Sequence, residues 1–184
     1  TVDVAGFNYK PGIYHKIREH YPNLKFYASE TGGSLSTRNS YKFPVLFDTL
    51  QTKRGTSLNT QLYADGQPGN HENTNVPWGY APYKEFASQE YNDFVYGEFV
   101  WTGYDYLGEP SPYHTAKSRS SYFAPVDMVG LEKDKFYLYK SEWNDTAEVL
   151  HFFPHWSLSE MKGKEIPVVC YTNYEKAELF VNGK

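Results

Sequence analysis

The chain has 184 residues, enough for one large or two small domains, and its 18 basic and 22 acidic side chains give a net charge of −4. No basic stripe is present to bind a polyanion, which excludes a nucleic-acid partner, and no apolar run approaches the length of a membrane span. The single cysteine, Cys170, excludes an internal disulfide and any cysteine-based metal cluster.

The beginning of the chain has the pattern of a strand, a helix and a second strand. Val2–Phe7 and Leu24–Ala28 are short apolar runs, typical of strands that are covered on both faces. Pro11 suits the first turn of the helix between them. The stripe of that helix consists of Ile13, Tyr14, Ile17 and Tyr21. Because the connections are short, the two strands are predicted to be parallel neighbours.

Two polar loops, two helices and a third strand follow. The segment 31–82 lacks periodicity, and we expect a long insertion that builds a pocket above a barrel. A helix begins at Pro82, the third strand is Glu98–Trp101, and a second loop spans 104–122. The helical stripes are Tyr83, Phe86, Ala87, Tyr91 and Phe94 in the first helix and Phe136, Tyr139 and Trp143 in the second.

The pattern changes after Trp143 from alternating strands and helices to strands separated by turns. The predicted strands are 149–153, 166–171 and 177–181, which is the order of an antiparallel sandwich. We therefore predict an α/β part at residues 1–143 and the start of a β-sandwich at residues 144–184. Each part has fewer elements than a closed barrel or sandwich needs.

Glu30 is the strongest candidate for chemistry. It follows an apolar strand and is surrounded by small residues, which leave room for a ligand at the carboxyl end of the strand, where α/β barrels carry their active sites. Hydrolysis of a glycosidic bond needs two carboxyl groups, and in the retaining mode one of them attacks the anomeric carbon. The alternative is a structural carboxylate in an ion pair, for example with Arg38.

Tyr9 ends the strand that precedes the one carrying Glu30, and Trp101 ends the third predicted strand. Neighbouring strands lie about 4.8 Å apart, so the Tyr9 hydroxyl could donate a hydrogen bond that holds the Glu30 carboxylate in its ionised form. Trp101 could stack against a sugar ring at the mouth of a barrel, which would suit a chain that is 18% aromatic. The alternatives are a tyrosine satisfied by the backbone and a core tryptophan.

Other chemistries have little support in the sequence. Neither a glycine-rich phosphate loop nor a nucleophile-elbow pentapeptide occurs. His151 and His155 are four residues apart, but Pro154 prevents a helical metal pair. We therefore predict no metal site and no cofactor.

Four segments together resemble family 2 glycoside hydrolases, and specifically the bacterial β-galactosidase branch. The resemblance includes the order and spacing of these segments and extends over nearly the whole chain. They are Asp3-Val-Ala-Gly-Phe-Asn-Tyr9, Tyr27-Ala-Ser-Glu-Thr31, Glu98-Phe-Val-Trp-Thr-Gly-Tyr-Asp-Tyr-Leu-Gly-Glu-Pro110 and Tyr122-Phe-Ala-Pro-Val-Asp-Met-Val-Gly-Leu131. The resemblance implies that residues 1–143 form strands six to eight of a (β/α)₈ TIM barrel, followed by the first strands of an immunoglobulin-like sandwich.

By matching motif, Glu30 corresponds to the catalytic nucleophile, Tyr9 to the tyrosine that supports it and Trp101 to the tryptophan of the sugar subsite. Asn8, Asp105 and Glu109 lie in the same motifs and are substrate-binding candidates without a defined role. The family's acid/base is a glutamate after an asparagine on the fourth strand, and no Asn-Glu pair occurs in this chain. We therefore expect it in an N-terminal part of the same enzyme, upstream of Thr1.

The resulting expectation is a retaining β-galactosidase that acts on a β-galactoside or related glycan, with this chain alone inactive. A β-glucuronidase or β-mannosidase of the same family is an alternative, as is a non-catalytic carbohydrate-binding or structural module. The sequence leaves homo-oligomerisation open. A periplasmic or extracellular location would suit a bacterial glycan-degrading enzyme, but no residue here specifies the compartment.

Overall fold

A computed structural model describes residues 2–45, 67–72, 74–111 and 118–184. Its elements in chain order are β1 (Val4–Asn8), a 3₁₀ turn (Pro11–Ile13), α1 (Tyr14–His20), β2 (Lys25–Gly32), β3 (Ser34–Leu35), β4 (Thr74–Asn75), α2 (Pro82–Glu90), β5 (Val95–Trp101), α3 (Asp134–Trp143), β6 (Leu150–Phe153), a second 3₁₀ turn (Ser159–Met161) and β7 (Val169–Thr172).

Strands β1, β2 and β5 form a parallel sheet in which β2 is the middle strand. The three predicted strands of the α/β part are thereby confirmed, as is the parallel arrangement of the first two. Strand β2 is longer than predicted, because its pairing continues past Ala28 until Asn8 pairs with Glu30 and Gly32 pairs with Trp101. Glu30 therefore lies within the paired part of β2, close to its carboxyl end.

The helices cover one face of this sheet. Phe26 is fully buried and packs against Phe7, Tyr14 and Phe94, with ring centroids 5.4–5.8 Å apart. Ile17 and Ala28 complete the cluster. The predicted helices are confirmed, although Tyr91 and Phe94 lie beyond the end of α2. Because the core lies on this face of the sheet, the side chains of β2 on the opposite face are not covered by the helices.

The loop after β2 contains structure that the sequence did not predict. Strands β3 and β4 pair antiparallel, and Leu35 packs with Val76, Tyr122 and Phe123 in a second buried cluster. A side chain at Gly33 or Gly79 would collide with the other residue, since an added Cβ would lie 2.7 Å from the opposite Cα. Glycine at both positions thus allows the loop to sit directly on the turn that follows β2. The loop residues 46–66 lie outside the described residues.

The segment after α3 pairs β6 with β7 antiparallel, as predicted for two of the three strands. The third prediction, a strand at 177–181, is wrong. These residues are exposed, and the following turn closes on itself through hydrogen bonds between the backbones of Val181 and Lys184. The β6–β7 pair is attached to α3 through His151 Nε2, which lies 2.7 Å from Asp134 Oδ1.

Candidate active site

A β-bulge in the middle strand decides which way Glu30 faces. Ala28 belongs to the core on the helix side, and the Thr31 hydroxyl donates to Glu98 on that same side, at 2.5 Å. Two residues separate Ala28 from Thr31 where regular alternation requires one, and the pairing with both neighbouring strands shifts at this place. Ser29 and Glu30 are therefore both directed away from the helices. Bulges commonly redirect side chains next to active sites.

Asn8, the last residue of β1, and Tyr9, which follows it, contact the Glu30 carboxylate. Asn8 Nδ2 lies 3.4 Å from Glu30 Oε2, a long contact, and the Asn8 amide is itself oriented by the Ser29 hydroxyl at 2.6 Å. Burial, a hydrogen bond to the Glu30 carboxylate and its negative charge raise the pKa of the Tyr9 phenol far above its ordinary value. The phenol thus stays protonated and donates to the carboxylate.

The backbone at Tyr9 is unusual for a bulky residue, because its φ is +51°. Its amide donates to the Glu30 carbonyl at 2.8 Å, so the chain leaves β1 while still paired to β2. A left-handed conformation in a non-glycine residue is tolerated where surrounding structure enforces it, and such residues cluster at functional sites. The Tyr9 side chain is within hydrogen-bond reach of the Glu30 carboxylate.

Strand β5 supplies an aromatic wall on the other side of β2. Trp101, 39% exposed, is the register partner of Gly32, and its indole N–H donates to the Tyr106 hydroxyl at 3.0 Å. The Tyr106 hydroxyl in turn donates to Glu109, and burial and this hydrogen bond raise the pKa of Tyr106 to about 12. Glu109 thus orients the tryptophan through Tyr106. No pattern in the sequence distinguishes Tyr106 from the other loop tyrosines.

Asp105 lies outside this arrangement. Its side chain is 5% exposed and forms an ion pair of 2.6 Å with the Lys133 ammonium, and it accepts a hydrogen bond from the Ala124 amide. Burial raises the pKa of Asp105 and lowers that of Lys133, while the charge of each partner acts in the opposite sense. In this structure Asp105 fastens the loop that carries Tyr106.

The alternative in which Glu30 pairs with Arg38 is not what the structure contains. Arg38 Nε lies 2.6 Å from Asp127 Oδ2. Arg38, Asp105 and Asp127 line a cavity of about 260 Å³. A larger cavity of about 780 Å³ is lined by Phe43, Met161 and Ile166 among others, and neither cavity includes Glu30. Glu30 instead lies on the open face of the sheet.

Within the described residues, no group of three or more His, Cys, Asp and Glu side chains could hold a metal ion. The helices of the described part include none long and apolar enough to cross a membrane.

Several known proteins are similar to this chain. It is 40% identical over 187 aligned residues to the β-galactosidase BoGH2A of Bacteroides ovatus, an alignment covering the whole chain and 21% of that protein. It superposes with a TM-score of 0.77 on a β-glycosidase from Bacteroides vulgatus, at 26% identity, over 100% of this chain and 26% of the other.

A glycosyl hydrolase family 2 member from Bacteroides cellulosilyticus superposes with a TM-score of 0.62 at 23% identity, over 99% of this chain and 22% of the other. A domain of unknown function, DUF4982, matches residues 163–184. The chain spans about a fifth of the length of the β-galactosidase it matches. Because the match to that enzyme extends over the whole of this chain and the fold is shared, the chain belongs to glycoside hydrolase family 2.

Proposed function

We propose that this chain is the nucleophile-bearing portion of a retaining β-galactosidase. The observation that carries the proposal is the position of Glu30 on the middle strand of a parallel sheet. Asn8 and Tyr9 contact its carboxylate from the carboxyl end of one neighbouring strand, and Trp101 ends the other. The similarity to a β-galactosidase over the whole chain supports the choice of galactose.

The fold supports the same proposal. Strands β1, β2 and β5 would be strands six to eight of a (β/α)₈ barrel, whose active site lies at the carboxyl ends of the strands. The helix-free face of the sheet leaves large apolar side chains exposed, among them Tyr96 and Phe99 at 66% and 67%. Parallel sheets are normally covered on both faces, so a barrel interior would explain this exposure. Residues 144–184 would begin a β-sandwich domain.

In the proposed reaction Glu30 attacks the anomeric carbon as the bond to the leaving oxygen breaks, which forms a glycosyl ester. A second carboxyl group outside this chain donates a proton to the departing oxygen and then removes one from the water that hydrolyses the ester. Two displacements at one carbon retain its configuration. Within this chain, Tyr9 and Asn8 hold the attacking carboxylate, and Trp101 stacks on the sugar, its edge fixed by Tyr106.

Covalent labelling of the full-length protein that contains this chain tests the proposal. A 2-deoxy-2-fluoro-β-galactoside with a good leaving group should inactivate the enzyme and modify one residue, and peptide mass spectrometry should place the sugar on Glu30. Glu30→Gln should abolish labelling and turnover. The matched variant Glu19→Gln changes a glutamate of α1 and should retain both.

Turnover of aryl β-galactosides with label on another residue would refute the assignment of Glu30. Parallel assays with aryl β-glucuronides and β-mannosides test the sugar. Preference for one of those substrates, with Glu30 still labelled, would keep the mechanism and replace the galactosidase specificity.

A further inference from the structure

Lys135 is a buried cation that the proposed mechanism does not use. It belongs to the first turn of α3 and is 1% exposed. Its ammonium donates to the Ser34 carbonyl at 2.9 Å, the Ser34 hydroxyl at 3.3 Å and the Phe123 carbonyl at 2.7 Å. A lysine ammonium has three donors, so these contacts use its full capacity.

The acceptors of Lys135 lie on the two segments that build the candidate active site. Ser34 follows Glu30 by four residues, at the start of β3. Phe123 lies two residues after Ser121. The Ser121 amide donates to the Tyr106 carbonyl at 2.8 Å, and the Tyr106 amide donates to the Ser121 hydroxyl at 2.9 Å. Tyr106 contacts Trp101. The ammonium thus joins the segment of the proposed nucleophile to the segment of the proposed sugar platform.

A second lysine makes a similar contact two residues further along the chain from Glu30, at Ser36 instead of Ser34. Lys133, also 1% exposed, donates to the Ser36 carbonyl at 2.8 Å and forms its ion pair with Asp105. The Ser36 amide donates to the Tyr122 carbonyl at 2.9 Å, so the two segments also touch directly. Two buried cations across one junction are costly unless every donor is satisfied, which argues for a required geometry.

The negative charge near Lys135 is that of Glu72, in the loop between β2 and α2. Glu72, 3% exposed, lies close enough for its carboxylate to favour the protonated ammonium, and it accepts a hydrogen bond from the Tyr171 hydroxyl of β7. Burial lowers the pKa of Lys135 to about 7, and the neighbouring charge of Lys133 acts in the same direction, while the charge of Glu72 opposes both. Glu72 thus links Lys135 electrostatically to Tyr171 of β7.

We infer that Lys135 is a positioning residue for the proposed glycosidase, one that fixes the distance between the Glu30 segment and the Trp101–Tyr106 segment. The inference rests on the proposed function. Nucleophilic attack requires reacting atoms about 3–3.5 Å apart, and a displacement of about 1 Å can cost about 10²-fold in rate. Apolar stacking on Trp101 is not directional in this way. Loss of the clamp, by which we mean the hydrogen bonds of the Lys135 ammonium to Ser34 and Phe123, should therefore slow the chemical step more than it weakens substrate binding.

Lys135→Met in the full-length enzyme tests this inference, because methionine has similar length and no donor. We expect kcat to fall about 10- to 100-fold, with KM changed less than about 3-fold. Lys135→Arg keeps a cationic donor and should retain more of the rate. Lys140→Met removes a lysine from the same helix without touching the clamp and should behave as the unmodified enzyme.

Labelling with the fluorosugar separates positioning from folding. A positioning role predicts that Lys135→Met still labels Glu30 to one sugar per chain, with a reduced rate constant. An unchanged rate constant refutes it, whether labelling is complete or is reduced to a folded fraction. If the methionine variant does not fold, Lys135→Gln is read in the same way. Absence of label on Glu30 in the unmodified enzyme would refute the proposed function itself.

Discussion

Replacing Tyr9 by phenylalanine tests the contact between the two strands at the candidate active site. The substitution removes the hydroxyl that donates to the Glu30 carboxylate and keeps the ring. A hydrogen bond to a charged group contributes about 1.5–3 kcal/mol, and about 1.4 kcal/mol corresponds to a factor of ten in rate. The other contact, from Asn8 at 3.4 Å, is too long to substitute for it. We expect kcat/KM to fall about 10- to 150-fold.

The assay is steady-state hydrolysis of an aryl β-galactoside by the full-length enzyme, together with the rate of fluorosugar labelling. Tyr14→Phe is the matched control, because the Tyr14 hydroxyl is buried without a hydrogen-bond partner among the described residues. Its removal should leave kcat/KM unchanged. If Tyr9→Phe stayed within about 3-fold of the unmodified enzyme, the carboxylate would not depend on the phenol, and the reasoning would be refuted.

Three further predictions concern packing, binding and pH. Phe26→Ala should lower the free energy of unfolding by about 3–5 kcal/mol, measured by urea denaturation of the full-length enzyme; a loss under about 1 kcal/mol would contradict the core assignment. Trp101→Ala should raise KM about 3- to 10-fold with a smaller change in labelling rate, and an unchanged KM would exclude stacking. Burial and the charge of Glu98 raise the pKa of Glu85 from 4.5 to about 8. The folded state thus holds a proton that the unfolded state releases, and stability should fall as pH rises from about 4.5 to about 8. Glu85→Gln should flatten that pH dependence in denaturation curves; an unaltered slope would show that another group causes it.

The sequence predicts the sheet well because each strand is a continuous apolar run and each helix has an aromatic stripe. Phe26 and Tyr14 belong to those patterns and meet in the core. The strand at 177–181 fails because an apolar run needs a partner strand, and none of the described residues pairs with it.

The candidate site is only partly accessible to sequence reasoning. The position of Glu30 at the end of the strand follows from the pattern, but the direction of its side chain depends on a bulge that has no local signal. Lys133 and Lys135 have the charge of surface residues, and their burial depends on carbonyl groups that converge from two loops distant in sequence. The motif that contains Asp105 makes it a substrate-binding candidate, whereas in the structure its carboxylate pairs with Lys133.

Because of the bulge between Ala28 and Thr31, the register of β2 determines which face of the sheet carries the proposed nucleophile. A regular pleat through these four residues would turn the Glu30 carboxylate over to the helices, where Glu85 and Glu98 already lie close together. A one-residue slip of β2 that removed the bulge would leave every side chain of the proposed catalytic apparatus in the sequence while separating them in space. Insertions or deletions that shift this register would thus be far more damaging than most single substitutions. A comparison of sequences that only checks whether the catalytic residues are present would not reveal the loss.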